Sequence, residues 1–138
     1  MLKYPFLDVP YEPKIRCFLG GISIYDLEET LGEKLWRYDP NDFKDRREII
    51  NDYILKDLEY LSYRHKYLLF EELRKSLLDA KTDFPALFVA NHDEHESLAW
   101  EEDEIENPRA FFEDIYAAAQ ERWGSDIKKA AAEDQTTW

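Results

Sequence analysis

Apolar residues recur with helical spacing through the middle of the chain. Over residues 43–61 they lie three, four or seven positions apart, and the same period continues over residues 67–78. This spacing places side chains on one face of an α-helix. No Gly or Pro interrupts residues 41–84, which leaves two interpretations, one long helix or two shorter ones. Since so long a helix is unusual in a small globular domain, we predict a helical hairpin with its connection around residues 61–63.

A further helix is predicted near the carboxyl end. Asn107 is a suitable N-cap and Pro108 a suitable first helical residue, and Gly124 is placed to end the helix. A short helix at about residues 24–31 is also predicted. The apolar face of the helix that follows Asn107 consists of Phe111, Phe112, Ile115, Tyr116, Ala119 and Trp123.

Two short apolar runs predict β-structure. The first, KIRCFLG, covers residues 14–20, and the second, ALFVA, covers residues 86–90. Short runs rich in apolar residues and bounded by turn residues are typical of strands. We therefore predict an α+β fold, mostly helical, in which three to four helices pack with a small sheet of two to three strands built from residues 14–19 and 86–90.

The two ends of the chain are predicted to differ from its body. Three prolines in residues 1–13 favour an extended arm, whereas residues 134–138 are expected to form a disordered tail. The length of 138 residues suits a single domain. The amino end has no signal-peptide pattern and no stretch is long enough to span a membrane, so a cytoplasmic location is expected. The lone cysteine, Cys17, is predicted to be a buried apolar residue.

The charge balance restricts the partners. The net charge is −13, with 18 Lys and Arg against 31 Asp and Glu. Such a surface repels nucleic-acid phosphates and anionic lipids, so direct nucleic-acid or membrane binding is not expected. The same charge attracts basic proteins and accelerates their encounter, although acidity also serves solubility alone.

Residues 91–108 concentrate this charge, with eight carboxylates and no Lys or Arg. One interpretation is an acidic surface for a basic partner, with Trp100 as a desolvated anchor. The other is a solvated loop in which Trp100 packs on the core, which for a run of charges alone is the more common outcome. Under the first interpretation the partner-binding residues are Asp93, Glu94, Glu96, Trp100, Glu101, Glu102, Asp103 and Glu104.

His92 and His95 in the same stretch suggest a metal-dependent enzyme as an alternative, because carboxylates are interleaved between them. The spacing is not that of HExxH zinc enzymes, and no Glu-x-x-His pair of a di-iron bundle is present. Motifs for phosphate binding or a serine nucleophile are also missing from the sequence. We therefore assign no catalytic residue, no metal ligand and no cofactor.

In size, acidity, cysteine content and aromatic content the chain resembles bacterial immunity proteins, which neutralise nuclease toxins. The resemblance lies in overall character, so it transfers no residue roles. It implies a non-catalytic antitoxin that covers the active or nucleic-acid-binding cleft of a basic protein. A phage-type mimic of nucleic acid, the metal-dependent enzyme above and an adaptor subunit with an obligate aromatic interface are the alternatives.

Overall fold

The computed structural model describes residues 1–90 and 97–138. This part of the protein is helical, at 61%, and contains no β-strand, so the predicted α+β fold with a small sheet is wrong. None of its helices is long and apolar enough to cross a membrane. The α-helices are α1 (Glu33–Leu35), α2 (Phe43–Ile49), α3 (Tyr63–Leu78), α4 (Pro108–Arg122) and α5 (Gly124–Ala131). Shorter helical segments are the 3₁₀ turns Ile15–Ile22, Pro85–Phe88, Glu102–Glu104 and Gln135–Thr137, and the π-helical turns Glu28–Gly32 and Ile50–Leu55.

The first predicted strand, residues 14–19, belongs to the 3₁₀ segment Ile15–Ile22. Its buried residues are Phe18, Leu19 and Ile22. A strand would bury every second side chain, whereas these positions follow a helical spacing. The apolar run therefore has a helical period, and the predicted strand is wrong.

The second predicted strand, residues 86–90, overlaps the 3₁₀ turn Pro85–Phe88. Pro85 occupies the first turn, where its missing N–H is not needed. The N–H of Ala86 donates to Oδ1 of Asp83 at 3.2 Å, so the side chain caps the turn. These two residues favour helical backbone over a strand.

A remnant of strand pairing occurs just after the first 3₁₀ segment. Ser23 and Leu98 form an isolated antiparallel bridge. The N–H of Ile24 donates to the carbonyl of Ser97 at 2.7 Å, and the N–H of Ala99 donates to the carbonyl of Ile22 at 2.9 Å. This pairing holds the residues that precede Trp100 against the body of the protein.

The predicted division of this region into two helices with a short connection is confirmed, but α3 packs on α4 and α5 rather than on α2, so the predicted hairpin packing is wrong. Asp42 caps α2 by accepting from the N–H of Asp45 at 3.0 Å. Helix α2 continues directly into the π-helical turn Ile50–Leu55, and α3 begins after a tight connection. Ser62 caps α3 by accepting from the N–H of His65 at 3.3 Å. Both arms therefore start at residues that satisfy free backbone donors.

The predicted start of α4 is also confirmed, because the Asn107 side chain accepts from the N–H of Ala110 at 3.1 Å. Five of its six predicted apolar residues are buried, and Tyr116 is partly buried. Helix α4 ends at Arg122 with Trp123 as its C-cap, which confirms the predicted end of the helix at Gly124, and Gly124 in turn begins α5.

The core lies where α3 packs against α4 and α5, and where the Ile50–Leu55 turn packs on Ile15–Ile22. Gly21 permits the second contact, because a Cβ there would lie 2.7 Å from the carbonyl carbon of Tyr53. Aromatic rings fill the remainder: the centroids of Phe84 and Phe112 are 5.1 Å apart.

Both ends of the chain make contacts with the body. The amino-terminal arm folds back on itself, with the N–H of Tyr11 donating to the carbonyl of Leu2 at 2.9 Å. Residues 134–138, expected to be a disordered tail, include the turn Gln135–Thr137. The ring of Trp138 lies edge-on to Tyr67, with 5.9 Å between centroids.

Candidate acidic interface

Residues 101–106, called here the acidic segment, present a row of carboxylates at the surface. Two buried side chains hold the segment to the core: Trp100 is 4% exposed and Ile105 is 3% exposed. Since Trp100 lies in the core, it is not the exposed anchor expected for a partner. The exposed carboxylates of the segment belong to Glu101, Glu102, Asp103, Glu104 and Glu106.

A short 3₁₀ turn, Glu102–Glu104, fixes the shape of the acidic segment. The N–H of Glu101 donates to Oε1 of Glu104 at 3.0 Å, and the N–H of Glu104 donates to the carbonyl of Glu101 at 3.0 Å. These two hydrogen bonds close a turn between Glu101 and Glu104. The turn gives the backbone a defined shape, and the side chains it carries are exposed.

Asn41 holds the acidic segment from across the fold. Its Nδ2 donates to the carbonyl of Glu104 at 2.8 Å, and its Oδ1 accepts from the N–H of Glu106 at 3.0 Å. The amide therefore bonds both sides of Ile105. Exposed Asp39 and Asp42 lie two residues before and one residue after Asn41 in the chain.

Trp36 supplies an exposed aromatic ring beside this surface. Its Nε1 donates to the carbonyl of Ala99 at 2.8 Å, while the residue remains 51% exposed. The hydrogen bond holds the Trp36 ring against Ala99, the residue that precedes Trp100 in the chain. The half-exposed indole therefore lies where the chain enters the acidic segment, and Trp is enriched among the residues that contribute most to binding at protein interfaces.

The acidic segment carries negative charge that no cation in the described part of the chain pairs with. Within residues 1–90 and 97–138, none of its five carboxylates forms a salt bridge. Two arginines of α2 and α4 have other partners: Arg46 pairs with Asp114 at 3.1 Å, and Arg109 donates to the carbonyl of Leu77 at 3.0 Å. The field of these carboxylates is therefore directed to solvent and to any cationic partner.

The rest of the predicted site lies outside the described residues. This applies to Asp93, Glu94 and Glu96, and to His92 and His95 of the metal hypothesis. Elsewhere in the chain, where side chains are described, no group of three His, Cys, Asp or Glu is arranged to hold a metal ion.

His65 has a structural role. Its Nε2 lies 2.6 Å from the carbonyl of Lys3, and its Nδ1 lies 2.6 Å from Oγ of Ser62. Because a carbonyl only accepts, Nε2 carries the proton and Nδ1 accepts from the serine hydroxyl. The buried imidazole thereby joins the amino-terminal arm to the start of α3, and both ring nitrogens are occupied.

Cys17 is exposed, so its prediction as a buried apolar residue is wrong. Neighbouring groups still remove part of the water around the thiol, which raises the pKa of Cys17. A raised pKa leaves less thiolate at neutral pH, and the thiolate is the nucleophilic form. The raised pKa therefore disfavours Cys17 as a nucleophile.

Sequence reasoning found the carboxylates but missed the residues that position and complement them. Asn41 stands in the sequence DPND, which is typical of a turn, and Trp36 has no local sequence signal. Both act on residues more than 60 positions away in the chain. Comparisons with protein families, with curated proteins and with solved structures found no match to this chain.

Proposed function

We propose that the protein is a non-catalytic inhibitor that binds a basic protein through its acidic segment, in the manner of an immunity protein that neutralises a nuclease-type toxin. The observation that supports this proposal most strongly is the uncompensated row of carboxylates on a backbone fixed by Asn41 and by buried Trp100. A preformed site loses little conformational freedom on binding, which favours affinity.

The proposed mechanism is occlusion of a cationic cleft. A cleft that binds nucleic acid presents Lys and Arg to phosphates, and carboxylates at similar spacing compete for the same cations. Trp36 would contribute the apolar contact at the edge of this surface. Long-range attraction accelerates the encounter, and exclusion of nucleic acid follows from coverage of the cleft.

The distribution of the carboxylates favours an inhibitor with one patch over a mimic of nucleic acid. A mimic distributes acids along an elongated face, whereas five exposed carboxylates here fall within residues 101–106. The metal-dependent alternative depends on His92 and His95, which lie outside the described residues.

Capture from a lysate of the source cells tests the proposal. The immobilised chain is washed at about 50 mM and then about 500 mM salt, a range over which surface charges become strongly screened. Bound proteins are identified by mass spectrometry. We expect one basic protein, held specifically and reduced at high salt.

Two matched variants show whether the acidic segment is responsible. The first neutralises four of its carboxylates with amides that keep the local hydrogen-bond acceptors, and the second neutralises four exposed acids dispersed elsewhere. Loss of capture only with the first supports the proposal. Equal capture by both variants, or no basic protein at either salt, overturns it. The first set is Glu101→Gln, Glu102→Gln, Asp103→Asn and Glu104→Gln, and the second is Glu12→Gln, Glu28→Gln, Glu29→Gln and Asp52→Asn.

A further inference from the structure

A surface groove of about 210 Å³ lies between α2 and α4. Its apolar lining comes from Ile50, Ala117 and Ala118, and Phe43 also lines it. The periodic pattern predicted that Phe43 faces the core, but the residue is 75% exposed. A large aromatic side chain that stands in water beside an apolar groove is typical of an interaction surface.

The groove differs in charge from the rest of the protein. Helix α2 contributes Arg46 and Arg47, and α4 contributes Asp114 and Glu121, so the four lining charges cancel. The whole chain, by contrast, carries −13. Arg46 and Asp114 pair with each other at 3.1 Å. Arg47 and Glu121 are exposed, and neither forms a salt bridge within the described part of the chain.

We propose that this groove binds a second copy of the chain, with Phe43 of each copy in the groove of the other and Arg47 of each paired with Glu121 of the other. A two-fold interface requires a patch that is complementary to itself. A cation and a carboxylate offered by the same patch meet this requirement, whereas acid-rich surfaces repel their copies. A basic partner would instead be drawn to the acidic segment, so this proposal does not depend on the proposed function.

The interface is expected to be weak. One aromatic side chain buries about 150–250 Å², so a contact built on Phe43 and one ion pair from each copy is smaller than the roughly 800 Å² that each partner buries in a standard stable complex. A dissociation constant of about 10 to 100 µM is therefore expected, which places self-association within reach of sedimentation velocity.

Sedimentation velocity of the full chain from about 5 to about 500 µM measures this association. Phe43→Ser should weaken it by about tenfold or more, as removal of a central aromatic does at other interfaces. Phe6→Ser is the matched control, because Phe6 is 83% exposed and lies in the amino-terminal arm. Circular dichroism establishes that each variant remains folded.

Charge reversal tests the pairing itself. Arg47→Glu and Glu121→Arg should each weaken self-association. When the two variants are mixed, a heterodimer should form, since one variant offers two carboxylates and the other two cations. A chain that stays monomeric at the highest concentration overturns the proposal. So does equal association of Phe43→Ser and Phe6→Ser, or a mixture that associates no better than its components.

Discussion

The contribution of the Asn41 side chain to the stability of the acidic segment can be measured by substitution of Asn41. Asn41→Ala deletes the donor to the Glu104 carbonyl at 2.8 Å and the acceptor of the Glu106 N–H at 3.0 Å. Each such bond contributes about 0.5–1.5 kcal/mol. Because the site is partly exposed and water can replace the amide in part, we expect a loss of about 1–2 kcal/mol in the free energy of unfolding. For a chain of this length the melting temperature should fall by about 5 °C.

Urea titration gives the free energy, and amide hydrogen exchange shows where the loss is located. The Glu106 N–H should exchange faster in Asn41→Ala, since its acceptor is gone. Asn51→Ala is the control. The Asn51 side chain donates at 3.0 Å to the carbonyl of Arg47, four residues earlier in its own helix. It should change stability by less than about 0.5 kcal/mol, because Ala favours helix. If Asn41→Ala behaves like this control and Glu106 exchange is unaltered, the proposed role of Asn41 is refuted.

Three further substitutions test the core and the titrating groups. Trp100→Ala should lower the free energy of unfolding by about 3–5 kcal/mol in urea, as loss of a buried aromatic does; a change below about 1 kcal/mol would place the indole at the surface. Burial raises the pKa of Asp57, so its charge opposes folding. Asp57→Asn should therefore raise the melting temperature at pH 7, and the gain should vanish below about pH 3, where both states are protonated; a gain that does not depend on pH contradicts this. Hydrogen bonds from Tyr63 and Arg64 lower the pKa of Glu133. Glu133→Gln should therefore reduce the melting temperature at pH 7, and the two proteins should converge as pH falls below about 4 through the depressed pKa; a constant difference over this range argues against the ionised form as the stabilising one.

Local signals explain which helices could be predicted. Helix α4 begins where Asn107 and Pro108 predicted, because capping depends on neighbouring residues. The helical character of α2 and α3 follows from the apolar period, and Ser62 caps the second of these helices. Both features involve contacts over a few positions, which a sequence displays directly.

The predicted strands failed because short apolar runs have no decisive period. The first three residues of the run at 86–90 lie in a 3₁₀ turn, because Asp83 and Pro85, which precede the run, favour helical backbone. Phe43 matched the period of its helix and is nevertheless exposed, since it stands in the first turn of α2, at one edge of the buried face. Periodicity identifies a face but does not show where the core ends.

In the candidate site, too, features set by local sequence could be predicted, and features set by contacts between distant segments could not. Exposure of Glu101, Glu102, Asp103 and Glu104 follows from the cost of burying unpaired charge. The roles of Asn41 and Trp36 depend on chain segments that meet only in the folded protein, so no local pattern revealed them. Burial of Trp100 also depends on the folded protein, because the sequence is compatible with both an exposed and a buried indole.

The most direct test of the acidic interface is the association rate of the captured basic protein, measured by stopped flow or biolayer interferometry. The wild-type chain is compared with the variant neutralised at four positions of the acidic segment and with its dispersed-charge control. We expect the rate to fall by about tenfold or more on neutralisation of the segment, and by a similar factor between about 50 and 500 mM salt. The control should stay close to wild type. Equal rates for the neutralised variant and the wild-type chain at low salt would contradict binding through the acidic segment.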